Sequence, residues 1–163
     1  MTNSRVLMPF KTDDHPHQQC LEAALAHAAQ NCAAHGVRLT PLRQRVLELI
    51  WRSHAPVKAY DILDQLRQEQ IGSAPPTVYR SLDFLLGEGL IHKIQSLNAY
   101  VGCGEPLGKH SSQFLICERC GDVAEMDDGE VHQILAQKSR ELGFHILDEI
   151  IEIKGLCAGC RNR

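Results

Sequence analysis

The sequence predicts an α+β protein in two parts, a mainly helical N-terminal domain followed by a small mixed α/β domain. Apolar residues repeat at helical spacing up to about residue 86 and then alternate at strand spacing. A stretch rich in glycine follows at residues 102–108, and strand patterns then reappear between two short cysteine pairs. These observations place a hinge between two domains of different composition.

The cysteine pairs are the strongest local signal. Cys117 is followed by Cys120 and Cys157 by Cys160, so each pair has two intervening residues. Such a knuckle directs both sulfurs at one ion about 2.3 Å away, and two knuckles complete the tetrahedral site that Zn²⁺ prefers. A redox pair or two disulfides are the alternatives, but a redox motif needs only one pair beside a βαβ pattern, which is absent. We therefore predict a structural zinc that joins the two ends of the second domain.

Composition and charge limit the class of protein. The chain has 163 residues, 44% of them hydrophobic, and a net charge of −3. It shows no secretory signal and no apolar run of about 18 residues, so we expect a cytoplasmic protein that has no membrane partner. Residues 37–96 carry eight Lys/Arg against six Asp/Glu, whereas residues 97–163 carry seven against eleven. Residues 37–96 carry the excess of positive charge, so this part is the one that suits binding to a nucleic-acid phosphate backbone.

The N-terminal part is predicted to contain four helices and a hairpin after a flexible tail at residues 1–16. The helices are expected at about 17–35, 41–53, 59–70 and 75–87, the third ended by Gly72, and the hairpin strands at 90–95 and 99–101. Thr40 with Pro41 is typical of a helix start. Three helices and a hairpin in this order describe a winged helix-turn-helix, here residues 17–101, whose last helix enters the DNA major groove.

Residues 102–110 are predicted to form the hinge, and residues 111–163 the second domain. Strands are expected at 114–116, 123–126 and 144–153, with a helix at 129–142. A domain this small gains stability from a metal and from a partner subunit. The apolar strand Ile146 to Ile153 is the segment that we expect to pair across a two-fold axis, which makes this the dimerisation domain.

The fourth helix carries the residues expected to contact DNA. Tyr79 and Arg80 lie in its first turn and a half, where recognition helices present side chains to base edges. An arginine there can bond guanine bidentately, and Thr77 or Ser81 can contact a phosphate or a thymine methyl. Candidates for backbone contacts, each with solvated surface charge as the alternative, are Arg43, Arg45, Lys58 and Lys93.

These motifs carry a resemblance. The run Arg38-Leu39-Thr40-Pro41, the run Pro75 to Leu82 and the two cysteine pairs resemble the ferric uptake regulator family, and within it the zinc uptake regulators. The resemblance implies a homodimeric, metal-dependent repressor with a structural Cys₄ zinc and a sensing metal near the hinge. The sensing ligands that it implies are His92, Cys103, His110 and Glu125.

The ligand set favours zinc. Two imidazoles, a thiolate and a carboxylate suit Zn²⁺, whereas Mn²⁺ or Fe²⁺ sites favour oxygen and imidazole with extra coordination positions. The cluster of adjacent histidines typical of iron sensors is missing, since His110 stands alone before Ser111 and Ser112. We thus expect two Zn²⁺ per protomer. The resemblance also allows a third site, which would use His132 or His145 together with Glu105 or Asp127.

The function expected from the resemblance is repression of zinc-uptake genes by a zinc-loaded homodimer on palindromic double-stranded DNA operators. No enzyme activity and no small organic substrate are expected, because the H-E-x-x-H motif and the zinc-deaminase motif are both absent. An iron- or peroxide-sensing repressor of the same family is the alternative. A zinc-stapled interaction module without DNA binding is a less favoured one. Asp64 and Arg67, on an exposed helix face, are candidates for linking adjacent dimers on DNA.

Overall fold

The computed structural model describes residues 4–11, 16–71, 74–108 and 110–162. The chain forms two compact units. The helical unit contains the described residues between 11 and 108, and the sheet unit contains residues 4–10 and 110–162. Among the described residues, no helix has the length and apolar content that crossing a bilayer requires. The α+β fold class predicted from the sequence is confirmed.

The helical unit has four helices and a two-stranded hairpin. Its elements are α1 (His17–Ala34), α2 (Pro41–Ile50), α3 (Ala59–Gln68), α4 (Pro75–Gly87), β2 (Ile91–Ile94) and β3 (Ala99–Gly102). Thr40 caps α2, since its hydroxyl accepts a hydrogen bond from the Arg43 N–H. The apolar faces of α2, α3 and α4 meet around Val46, Leu66 and Leu82, which are fully buried. This is the predicted winged helix-turn-helix.

The hairpin is held against the rest of its unit at two points. The backbones of Val57 and Tyr100 form a β-bridge, which attaches β3 to the loop before α3. Gly102 lies against the ring of Trp51, and a Cβ at this position would be only 2.1 Å from the ring. Only glycine fits such a close approach, so the end of β3 is fixed beside α2.

The sheet unit is a four-stranded sheet with two helices. Its elements are β1 (Ser4–Met8), β4 (Gln113–Cys117), β5 (Val123–Asp128), α5 (Gly129–Glu141), β6 (Ile151–Gly155) and α6 (Ala158–Arg161). The strand order is β1-β5-β4-β6. The β1/β5 and β4/β5 pairs are antiparallel, whereas β4 and β6 are parallel because α5 provides the crossover. Asp128 caps α5 by accepting from the N–H groups of Glu130 and Val131.

Two predicted segments differ from the structure. The predicted flexible tail at residues 1–16 contains strand β1, whose partner β5 lies about 120 residues further along the chain. The last strand begins at Ile151 rather than at residue 144, because β4 offers it a partner only from that residue onward. Apolar residues between 144 and 150 are largely exposed, Leu147 at 91%. The predicted helix end at Gly72 lies outside the described residues.

Candidate metal centre and nucleic-acid interface

The four cysteines of the two knuckles meet at one edge of the sheet. The first knuckle follows β4 and the second follows β6. These strands are parallel neighbours, and Cys117 is in register with Gly155, so both strands deliver their knuckles to the same edge. The first knuckle turns through Gly121 at φ +79°, a conformation that glycine adopts without strain. As a result the sulfurs of Cys117, Cys120, Cys157 and Cys160 all lie within 4.8 Å of one another.

The spacing of the sulfurs fits a tetrahedral ion and not a disulfide. The Sγ atoms of Cys120 and Cys157 are 3.9 Å apart. A disulfide requires about 2.05 Å, whereas two thiolates at tetrahedral corners 2.3 Å from zinc are about 3.8 Å apart. Arg119 donates a hydrogen bond to the Cys160 carbonyl and so ties the first knuckle to the second.

The ionisation of these thiols explains why a cation belongs here. Backbone N–H groups, chiefly those of Cys120 and Cys157, lower the pKa of the Cys117 thiol to about 6. Burial, together with the neighbouring thiols, raises the pKa of Cys160 to about 12. One thiolate therefore forms readily, while additional thiolates are opposed by burial and mutual repulsion. A divalent ion bound by all four sulfurs removes that repulsion, so the donor set fits zinc.

Two of the four predicted sensing residues meet within the sheet unit. The His110 Nε2 and Glu125 Oε1 atoms are 2.8 Å apart. Glu125 is fully buried on β5, where Phe114 of β4 pairs with it, and His110 lies just before β4. The structure thus joins an imidazole and a carboxylate into a preformed pair.

The other two sensing residues lie in the hairpin of the helical unit. His92 pairs with Val101 across the hairpin, and Cys103 follows the end of β3. The Cys103 N–H donates to the carbonyl of Leu90, the residue just before β2, which places its thiol beside the strand that carries His92. Cys103 is 3% exposed, and its Sγ lies within 4.8 Å of a ring nitrogen of His92. The helical unit therefore offers an imidazole and a thiol side by side.

Helix α4 presents only some of the predicted DNA-contacting residues. Tyr79 is 52% exposed and Arg80 is exposed, while Thr77 is half-buried. Ser81 is buried at 4% exposure, and its hydroxyl donates to the Thr77 carbonyl one turn earlier. This position disfavours the predicted DNA contact by Ser81, because a helical residue two positions beyond Tyr79 falls on the core side.

The predicted backbone contact by Arg45 is also disfavoured. Its guanidinium donates to both carboxylate oxygens of Glu69 on the chain after α3, at 2.6 and 2.8 Å, and to Glu48 at 2.6 Å. The hydrogen bond from Arg45 holds the pKa of Glu69 at about 2. Arg43 stacks its guanidinium 3.6 Å above the Phe84 ring. Arg45 thus joins α2 to the end of α3 and is not available to a phosphate.

Two of the candidates for a third metal site, His132 and Asp127, have other partners. His132 pairs with Glu149 at 2.7 Å, and Asp127 pairs with Arg5 at 3.0 Å. In the part of the chain that the structure describes, these candidates do not gather into a group of three or more potential ligands. Arg5 could not be predicted from the sequence as a partner of Asp127, because only the pairing of β1 with β5 brings the two residues together.

The winged-helix unit and the four-cysteine cluster of the sheet unit together indicate the class of protein, a winged-helix regulator that binds metal. Residues 34–154 match the ferric uptake regulator family. The zinc uptake regulation protein of Escherichia coli (strain K12) is 44% identical over 139 residues, which are 83% of this chain and 80% of that protein. The chain belongs to the ferric uptake regulator family, as the resemblance predicted.

Two solved structures extend the similarity. A zinc uptake regulator complexed with zinc and DNA superposes with a TM-score of 0.82 at 40% identity, over 93% of this chain and 97% of that one. The crystal structure of holo XcZur superposes with a TM-score of 0.80 at 42% identity, over 86% of this chain and 99% of that one. These three relatives are zinc uptake regulators, and the two structural matches cover both units.

Proposed function

We propose that this protein is a zinc-responsive transcriptional repressor whose zinc-loaded homodimer binds palindromic operators and represses genes of zinc uptake. Relatives at 40–44% identity are zinc uptake regulators, and one of them is solved with zinc and DNA. Each protomer takes two zinc ions. The structural ion belongs to Cys117, Cys120, Cys157 and Cys160, and the regulatory ion to His92, Cys103, His110 and Glu125.

The observation that carries the proposal is the pairing of the buried Cys103 thiol with His92. A thiolate beside an imidazole selects a borderline-soft ion, and the second pair, His110 with Glu125, completes a four-coordinate set. An iron or manganese sensor favours oxygen and imidazole donors with open positions. The donor chemistry therefore supports zinc over iron or peroxide sensing.

Coupling between zinc and DNA follows from where the two ligand pairs are attached. His92 and Cys103 belong to the unit that carries α4, whereas His110 and Glu125 belong to the sheet unit. When all four residues hold one ion, the hinge between them loses freedom. A dimer then presents its two recognition helices at a fixed spacing, which half-sites on DNA require. A tenfold rise in the fraction of dimers that have this spacing corresponds to about 1.4 kcal/mol of DNA-binding free energy per site.

DNA recognition is assigned to the exposed start of α4. Arg80 is the residue that would bond guanine, and Tyr79 would contact a base edge or a phosphate. Thr77 is retained as a contact to a phosphate or a thymine methyl, since it lies in the first turn and is partly exposed. Ser81 is left out because its hydroxyl is used within the helix. Asp64 and Arg67 remain our candidates for contacts between adjacent dimers.

Homodimerisation is assigned to the sheet unit. Strand β6 is the edge strand next to β4, so its outer backbone groups can accept another strand. No residue of α5 is buried within the protomer. Large apolar side chains that are at least 48% exposed cluster in α5 and the chain that follows it: Ile134, Leu142, Phe144, Leu147, Ile150 and Ile153. Burial of such a patch against a second copy of itself accounts for its composition.

The test removes the regulatory thiol and leaves the structural cluster intact. We expect Cys103→Ser to lose the zinc response of operator binding, with at least a tenfold weaker DNA affinity at saturating zinc. Fluorescence anisotropy on operator DNA at buffered free zinc measures this. Cys20→Ser on α1, a cysteine outside both sets, is the matched control and should behave like wild type.

Metal analysis of the same proteins separates the alternatives. Wild type and Cys20→Ser should carry two zinc ions per protomer, and Cys103→Ser one. An equal zinc response in wild type and Cys103→Ser would refute the site assignment. Iron at the second site of wild type, lost on treatment with peroxide, would instead indicate the iron- or peroxide-sensing alternative.

A further inference from the structure

Strand β1 lies outside the part of the chain that matches the family. The family match begins at residue 34, whereas β1 spans Ser4–Met8. Even so, β1 forms one edge of the four-stranded sheet, and Met8 at its end is 4% exposed. Phe10, two residues later, lines a groove with Leu115, Ile116 and Ile153. The N-terminal segment is therefore built into the sheet unit.

The register of β1 places this strand next to a proposed zinc ligand on β5. Met8 pairs with Glu125, and Phe114 pairs with Glu125 from the other side. The register of β1 shifts between Val6 and Met8. Such a β-bulge changes the direction in which neighbouring side chains point. Without β1, β5 would be an edge strand, and its backbone groups near Glu125 would lack partners on that side. Strand β1 thus completes the backbone pairing of the strand that carries the buried Glu125.

A polar chain leads from β1 to the second ligand of the same pair. Arg5 lies opposite Asp127 in the ladder and donates to its Oδ2 at 3.0 Å. The Oδ1 atom of Asp127 accepts from the N–H of Ser111 at 3.3 Å and from its hydroxyl at 3.4 Å. Ser111 follows His110, whose Nε2 lies 2.8 Å from Glu125 Oε1. Asp127 therefore joins β1 to the backbone that carries His110.

We propose that β1 is a positioning element of the zinc-sensing site, in which Arg5 orients Asp127 and Asp127 holds His110 and Glu125 at their mutual distance. This inference rests on the proposed function, since it concerns the same regulatory site. Neither Arg5 nor Asp127 belongs to the proposed ligand set of His92, Cys103, His110 and Glu125. They act on zinc affinity by keeping the His110–Glu125 pair assembled in the zinc-free protein, so that less ordering accompanies binding.

The experiment measures zinc affinity at the second site in the full chain with its Cys₄ zinc retained. Competition with a chromogenic zinc chelator should show about tenfold weaker binding in Arg5→Gln and Asp127→Asn, the lower end of the range for outer-shell partners. The double variant should be no weaker than Asp127→Asn alone, because Arg5 acts through Asp127. Arg5→Lys, which keeps the charge, should recover most of the affinity.

A second readout needs no zinc at the site. In chelator-treated protein that retains its Cys₄ zinc, amide hydrogen exchange of residues 110–116 should accelerate in Arg5→Gln, because Asp127 no longer holds the Ser111 N–H firmly. Lys11→Gln removes a positive charge from the same N-terminal segment outside β1 and is the matched control. It should match wild type in both measurements.

The outcomes separate this inference from the proposed function. Wild-type affinity in both Arg5→Gln and Asp127→Asn would overturn the role of β1 while leaving the sensing site in place. Weaker zinc binding accompanied by loss of the Cys₄ zinc would also overturn it, since the effect would then be general unfolding. A wild-type protein that binds no zinc beyond the Cys₄ ion would refute the proposed function itself.

Discussion

Individual polar residues in the helical unit take their roles from the partners that folding provides. Arg45 looks like a phosphate contact in the sequence, yet its guanidinium donates to Glu69 and Glu48. Ser81 looks like a base contact, yet its hydroxyl donates to a carbonyl of its own helix. Tyr79 and Arg80 are exposed, so their contact with DNA stays a prediction. Helical spacing predicts the buried face well, whereas ion pairs between helices require the packed structure.

The ion pair between Arg45 and Glu69 predicts a pH dependence of stability. The pKa of Glu69 is about 2 in the folded protein against an ordinary value of 4.5, and the hydrogen bond from Arg45 is the main cause. A lowered pKa stabilises the fold above pH 4.5, and this contribution disappears as the pH falls towards 2. We expect Glu69→Gln to be less stable than wild type at pH 7. Between pH 4.5 and 2, the free energy of unfolding of Glu69→Gln should depend less steeply on pH, by the equivalent of up to one bound proton.

Trp51 provides the measurement. It is the single tryptophan of the chain and is buried in the helical unit, so its fluorescence during urea unfolding reports on this unit. Glu22→Gln on α1 is the matched control, because Glu22 is exposed and its side chain pairs with the neutral Gln18. An identical slope in wild type and Glu69→Gln between pH 4.5 and 2 would contradict the assignment.

Secondary-structure elements were predictable from the sequence where their stabilising contacts are local. The four helices, the hairpin and the two knuckles have periodic or turn-forming patterns, and the structure places them within a few residues of the prediction. Strand β1 was not predictable, because a five-residue edge strand gains its order from β5, far along the chain. Residues 144–150 have a strand-like apolar pattern, but they have no partner in the described sheet. Burial against a second subunit would produce the same pattern.

The four-cysteine centre predicts how the sheet unit responds to loss of one ligand. Cys117 ends β4 and Cys157 follows β6, so the bound ion joins two strands whose connection runs through α5. We expect Cys117→Ser to lose the structural zinc and to lower the melting temperature by on the order of 10 °C, because metal binding here contributes folding energy. Circular dichroism with metal analysis measures both effects. Unchanged zinc content and melting temperature would contradict the structural role, and Cys20→Ser is the control.

At the scale of the whole molecule, the chain passes between its two units twice. It begins in the sheet unit with β1, runs through the helical unit and returns through residues 103–110. Two ligands of the proposed sensing site lie in each unit. In the proposed function, zinc links the helical unit, which carries α4, to the sheet unit, to which homodimerisation is assigned. Such a link is reciprocal, since DNA must tighten zinc by the factor by which zinc tightens DNA.

Reciprocal linkage is the most direct test of this account. Operator affinity of the wild-type protein should be measured at buffered free zinc from the level that fills only the Cys₄ site to saturation, and zinc affinity should be measured with and without operator. The account predicts that zinc tightens operator binding at least tenfold, about 1.4 kcal/mol, and that operator tightens zinc binding by the same factor. Operator affinity that stays constant while the second zinc binds would contradict it.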